Sequence, residues 1–151
     1  MLSLRVNSAG AVMSQEATNV ALLKGAYARW NGSKGASVEH WFEIVDQNIK
    51  FGSLARGAPP VAFLTTYDNR QALREYFKDL LANWSMFHYT VDEYVAQGDA
   101  VFARGSCAWT NKHTGRSVET PKVDFWRFRD GKAIEFYEYY DTASVLQAAS
   151  P

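Results

Sequence analysis

The residues best placed to do chemistry sit in three strand-like segments, all in the second half of the chain. In Val123-Asp-Phe-Trp-Arg-Phe128 the even positions are Asp124, Trp126 and Phe128. In Ile134-Glu-Phe-Tyr-Glu-Tyr-Tyr140 they are Ile134, Phe136, Glu138 and Tyr140, and in Ala100 to Ala108 they are Phe102, Arg104, Ser106 and Ala108. Side chains alternate between the two faces of a strand, so each set shares a face. If the three faces coincide, they form an aromatic surface holding two carboxylates and one guanidinium. A charge there is costly without a partner. Either Arg104 forms a structural ion pair with Asp124 or Glu138, or an acid is pushed towards its protonated form. The second state is the one proton-transfer enzymes use.

Other chemistry is poorly represented. There is no glycine-rich phosphate loop, GxSxG elbow, HExxH or CxxC. Cys107, the single cysteine, reads as a packed thiol in mid-strand. His113 falls in a polar turn, His40 on a short helix and His88 on an alternating strand. Three scattered histidines and one cysteine predict no metal site, and nothing calls for a cofactor.

The elements that must position these residues are legible in outline. Residues 1–13 read as a flexible leader of small residues and 14–151 as a single domain. Ser14 caps a helix to about Trp30, and Val38 to about Val45 forms a second. Ile49–Phe51 reads as a short strand, followed by an irregular loop over 52–66, long enough to be a lid or a mouth. Asn69 caps a third helix, with Leu73, Tyr76, Phe77, Leu80 and Leu81 on one face. The period then changes to two. Phe87, Tyr89, Val91, Glu93 and Val95 alternate with polar residues, and strands follow over 100–110, 118–129 and 132–140. Helices segregated on one side of an antiparallel sheet make an α+β fold.

Composition narrows the partners. Sixteen basic residues balance sixteen acidic ones. Zero net charge argues against nucleic acid or an anionic membrane held by long-range attraction. At 47% hydrophobic residues the chain is too apolar for disorder. No apolar run approaches the ~18 residues of a membrane helix, and the N-terminal stretch lacks a signal-like apolar segment. The expectation is a cytoplasmic protein.

Taken in order, several segments resemble the nuclear transport factor 2-like superfamily, in its SnoaL-like and ketosteroid isomerase-like branch. They are Ala26-Tyr-Ala-Arg-Trp-Asn31, Asn69 to Leu81, Gly98-Asp-Ala-Val-Phe102, Thr114-Gly-Arg116, Val123 to Phe128, Gly131-Lys-Ala-Ile-Glu135 and Tyr139-Tyr-Asp-Thr-Ala143. The resemblance implies a cone-shaped, curved antiparallel sheet packed by three helices from the N-terminal half around an apolar pocket. It also implies a homodimer through the outer sheet face, here Val123, Phe125, Tyr137 and Tyr139.

Carried over residue by residue, Asp124 falls where ketosteroid isomerases keep a protonated aspartic acid that donates to an oxyanion. Tyr27 falls at or beside their oxyanion tyrosine. Their catalytic base has no counterpart: Ser53 occupies that region, and Asp46 is the nearest acid upstream. Arg104, Asp124 and Glu138 are similar in type to the pocket of limonene epoxide hydrolase. The resemblance thus implies a cofactor-independent isomerase, cyclase or hydrolase acting on a small hydrophobic substrate. Asp124, Tyr27, Arg104 and Glu138 would do the chemistry, and Trp126, Phe128, Phe136, Tyr140 and Phe102 would line the pocket. The alternative is a binding or dimeric interaction module that catalyses nothing.

Overall fold

The structure is a computed structural model that describes residues 5–6 and 12–151. Of the expected leader, residues 1–4 and 7–11 lie outside the described residues. Strands β1 (Arg5–Val6) and β2 (Val12–Met13) pair antiparallel with each other.

Helix α1 (Gln15–Gly32) starts where the Ser14 hydroxyl accepts the Ala17 N–H at 3.1 Å, with Glu16 in its first turn. It buries Asn19, Leu23, Ala26, Tyr27 and Trp30, one face at helical spacing. Helix α2 (Val38–Ile44) buries Trp41 and Phe42, and strand β3 (Val45–Ser53) follows without an intervening turn. The connecting loop tucks in Ala55, Val61 and Leu64. Helix α3 (Arg70–Asn83) opens at Asn69, whose side chain accepts from Ala72 N–H at 2.8 Å. Four long strands complete the sheet: β4 (Trp84–Gln97), β5 (Ala100–Asn111), β6 (Ser117–Arg129) and β7 (Lys132–Tyr140).

The five-stranded sheet has the order β3-β7-β6-β5-β4 and is mixed. Strands β4 to β7 are antiparallel, but β3 runs parallel to β7. An all-antiparallel sheet was the expectation. Hairpins impose antiparallel sense on β4 to β7, whereas no hairpin joins β3 to β7. A fourth helix, α4 (Thr142–Ala149), was also unforeseen. Its small residues give no strong periodicity, yet the Asp141 side chain caps it and Val145, Ala148 and Ala149 are buried.

Strand registers decide which side chains face the core. Asp124 pairs with Glu138 on β7 and with Ala103 on β5. An even residue of β6 thus faces an odd residue of β5, so Val101, Ala103, Cys107 and Trp109 point inward. Phe102, Arg104 and Ser106 point outward instead. Gly105 pairs with Lys122 on β6. It also lies so close to β4 that a Cβ there would come within 1.8 Å of the Thr90 carbonyl oxygen. Strand β4 breaks simple alternation. Met86 pairs with Trp109 and His88 with Ala108, leaving Phe87 as an extra residue. This bulge leaves Phe87 75% exposed and turns Tyr89 into the core. A similar shift at Arg127/Phe128 puts Ala133, not Ile134, opposite Phe128 and into the core.

Candidate functional site

The concave face of the sheet and the helices enclose a cavity of about 100 Å³. Its walls are largely aromatic, including Trp41 from α2, Tyr76 from α3 and Trp126 and Phe136 from the sheet. Phe63 and Leu64 of the 52–66 loop line it, as does Val145 of α4. Inward-facing side chains from all five strands of the sheet contribute to this lining. Its charged groups form one cluster: Asp124, Glu138 and Lys122.

Asp124 is 1% exposed. Tyr27 Oη donates to Asp124 Oδ2 at 2.5 Å, and Tyr89 Oη donates to the same oxygen. Trp126 Nε1 donates to Tyr27 Oη at 2.9 Å. An indole N–H can only donate, so Tyr27 directs its own proton to Asp124. Both phenols are thus directed at Asp124, and Tyr27 is not left free to donate to a ligand as expected. Among the described residues no group hydrogen-bonds Asp124 Oδ1. Lys122 Nζ lies 3.4 Å from it and 2.8 Å from Glu138 Oε2. Tyr76 Oη points to Glu138 Oε1 at 3.4 Å.

The electrostatics follow from burial. Burial raises the phenols of Tyr27 and Tyr89 well above their ordinary pKa, and the Asp124 charge raises them further. Tyr76 is raised in the same way, by burial and then by Glu138. Burial opposes the charge on Lys122, but Asp124 and Glu138 override it and hold its pKa well above the lysine range. Burial pushes the Cys107 thiol up to about 11, which leaves it a protonated wall residue.

The structure brings together Asp124, Tyr27, Glu138, Trp126, Phe136 and Tyr140. Tyr140 shares a 2.6 Å hydrogen bond with the buried hydroxyl of Ser53. Arg104 is not in this group. It lies on the outer face with a 68% exposed side chain and pairs with Glu93 at 3.1 Å. Phe102 is also outside, exposed and packed against Phe125. Both misplacements come from the β5–β6 register. Phe128 is buried behind Trp126, with ring centroids 6.4 Å apart, and does not line the cavity. Asp46, at the start of β3, spends its carboxylate on the Asn48 N–H.

The profile of the SnoaL-like domain matches residues 24–136. The chain belongs to the SnoaL-like family. Solved structures place the SnoaL-like chain in the nuclear transport factor 2-like fold. One is a nuclear transport factor 2-like protein from Burkholderia thailandensis, at 25% identity and TM-score 0.75, over 88% of this chain and 98% of that one. Another is a proposed SnoaL-like polyketide cyclase from Mesorhizobium loti, at 18% identity and TM-score 0.69, over 85% and 100%. A third, from Catenulispora acidiphila, has a ketosteroid isomerase-like fold and was solved in complex with trimethylamine; identity is 16% and TM-score 0.68, over 85% and 91%. No curated protein matches the sequence.

Three residues of this SnoaL-like cavity escaped the sequence reading. Lys122 sits two residues before Asp124 on the same strand, so extending the even-position set by one step would have found it. Tyr89 depends on the bulge at Phe87, which the sequence does not announce. Tyr76 was assigned to the core of α3 without its hydroxyl being considered. No group of three or more His, Cys, Asp and Glu that could hold a metal ion occurs among the described residues. No helix among them is long and apolar enough to cross a membrane.

Proposed function

We propose that the cavity is the active site of a cofactor-independent acid–base enzyme acting on a small hydrophobic substrate. Asp124 is the residue that moves the proton. The observation that carries this reading is its carboxylate: buried in the wall of an aromatic cavity, held at Oδ2 by two phenols, and without a hydrogen-bond partner at Oδ1 among the described residues. An apolar pocket with a few convergent polar groups is the usual form of a small-molecule site. Tyr27 and Tyr89 hold the base in place. Lys122 and Glu138 set the local charge, and Trp126, Phe136 and Tyr140 supply apolar contact. The trimethylamine complex and the proposed cyclase of the same fold support a pocket that takes a small organic molecule.

The same reading includes a homodimer. Phe87, Val95, Phe102 and Tyr139 are exposed on the convex face, an apolar patch suited to a subunit contact. A scattering mass near 17.0 kDa at micromolar concentration would reject the dimer. A cytoplasmic location fits the single, buried, unpaired cysteine.

A thermal-shift screen of terpenoid, aromatic and steroid-like compounds bearing a carbonyl, epoxide or hydroxyl tests the pocket. Hits are then assayed for turnover by the wild type and by Asp124→Asn. The expected result is turnover by the wild type and none by a folded Asp124→Asn. A silent panel, or unchanged turnover in the variant, removes the proposal.

A further inference from the structure

We propose that the cavity takes a compact organic cation, an alkylammonium, and that Asp124 is its counter-ion. This rests on the reading of the cavity as a small-molecule site. The argument begins with the charges already there: Asp124, Glu138 and Lys122, two acids against one base. Glu138 is provided for. Lys122 Nζ lies 2.8 Å from its Oε2, and the Tyr76 hydroxyl points to its Oε1. Asp124 has two phenols on Oδ2, which carry no charge, and no hydrogen-bond partner on Oδ1 among the described residues. Lys122 reaches Oδ1 only at 3.4 Å, beyond the length of a charge-assisted hydrogen bond.

A proton on Asp124 is a poor remedy. On Oδ1 it would face the Lys122 ammonium, which accepts nothing. On Oδ2 it would displace one of the two phenols from the acceptor it uses. With Asp124 ionised the cluster carries one net negative charge, and a buried charge is costly until it is paired. A ligand that brings a positive charge and an N–H for Oδ1 supplies both missing parts. Repulsion from Lys122 is offset by Glu138, which sits closer to that ammonium than Asp124 does.

The walls suit the rest of such a ligand. All five tryptophans of the chain line the cavity, together with Phe51, Tyr76 and Phe136. Aromatic faces, indole above all, attract a cation and bury its alkyl groups at the same time. Lys122 already shows an ammonium held this way, with Nζ 4.6 Å from the centroid of the Tyr89 ring. The two carboxylates hold its pKa well above the lysine range against the pull of burial. Size sets the limit. A cavity of about 100 Å³ is smaller than the roughly 150 Å³ that holds benzene, so the ligand is a short or branched amine.

The test compares tert-butylammonium, protonated at neutral pH like a lysine side chain, with tert-butanol, its neutral isostere. The hydroxyl of tert-butanol can accept from indole N–H groups, so it stands for a neutral ligand that uses those donors instead. Because every tryptophan lines the cavity, the indole N–H resonances of isotope-labelled protein report binding inside it. Tert-butylammonium is expected to bind at least about tenfold more tightly than the alcohol, the size of one charge-assisted contact. Asp124→Asn, which makes the cluster neutral, should bring the two affinities together. If this variant does not fold, Glu138→Gln neutralises the cluster in the same way and takes its place. Equal or tighter binding of the alcohol overturns the cation assignment, as does a preference that survives in the folded neutral variant. Refusal of both probes by the wild type overturns it as well. Each of these results leaves the cavity reading standing when the carbonyl, epoxide and hydroxyl panel gives hits; a silent panel in addition removes both.

Discussion

Raising the pH above about 10 should unfold the protein over a narrow range, because buried groups hold protons that the unfolded chain releases. Burial, reinforced by neighbouring carboxylates, raises Tyr27, Tyr76 and Tyr89 well above the ordinary value of 10.0. Lys122 stays well above 10.5, against the pull of burial, because Asp124 and Glu138 favour its charge. For groups raised on folding, the stabilisation is complete below the unfolded pKa and is lost as pH climbs towards the folded one. Each proton costs about 1.4 kcal/mol of stability per pH unit, and the four named groups together about 5.5. A domain of this size has about 5–15 kcal/mol in total, so one to three pH units should suffice. Urea unfolding followed by tryptophan fluorescence between about pH 8 and 11 measures it. Stability should be level at first, begin to decline above 9.0 as the buried Cys107 thiol contributes, and fall steeply above about 10. Tyr89→Phe removes one titrating phenol, so its decline should be about 1.4 kcal/mol per pH unit shallower. A wild-type decline of one proton or less, or an unchanged slope in Tyr89→Phe, would refute the claim that the fold holds these protons.

Lys122→Met should destabilise the protein by about 3–5 kcal/mol, since it leaves buried carboxylates without their cation. Adding Glu138→Gln should restore part of the loss in the same denaturation assay, and a double variant no more stable than the single would contradict the pairing. Tyr27→Phe should cost about 3 kcal/mol against about 2 for Tyr89→Phe, because only the former also strands the Trp126 N–H. The reverse order in urea midpoints would break that chain of hydrogen bonds. Arg104→Ala should change stability by less than about 1 kcal/mol, as expected for an exposed ion pair, and should leave turnover of any hit from the ligand screen unaltered.

Local rules carried the sequence reading a long way. Ser14 and Asn69 mark helix starts because their side chains can accept backbone N–H bonds at no other cost. The Asp130-Gly131 turn, with both residues at positive φ, marks the β6–β7 hairpin. Asp124, Glu138, Trp126 and Phe136 were grouped correctly because parity within β6 and β7 is a property of each strand and the two strands are joined by that short turn. Arg104 and Phe102 were misplaced because the relative parity of β5 and β6 depends on the register of a different hairpin. Lys122 was overlooked because a lysine ordinarily belongs to the solvated face, and only the pair of buried acids explains its burial. The parallel β3–β7 contact was out of reach, being a long-range pairing with no local signature.

The extra residue at Phe87 gives strand β4 a property that point substitution cannot alter. It shifts the phase of the side-chain alternation, so that Met86 and Tyr89, three positions apart, both face inward. Loss of that one residue would remove the bulge and leave Met86 and Tyr89 two positions apart, still opposite Trp109 and Cys107 and still both inward. The strand can therefore shed a residue at this point without exchanging a ligand of the central carboxylate. The bulge is a place where chain length and pocket chemistry are uncoupled, so a single-codon gap inside a strand can be absorbed there. Sequence comparisons that tolerate gaps only in loops would not detect it.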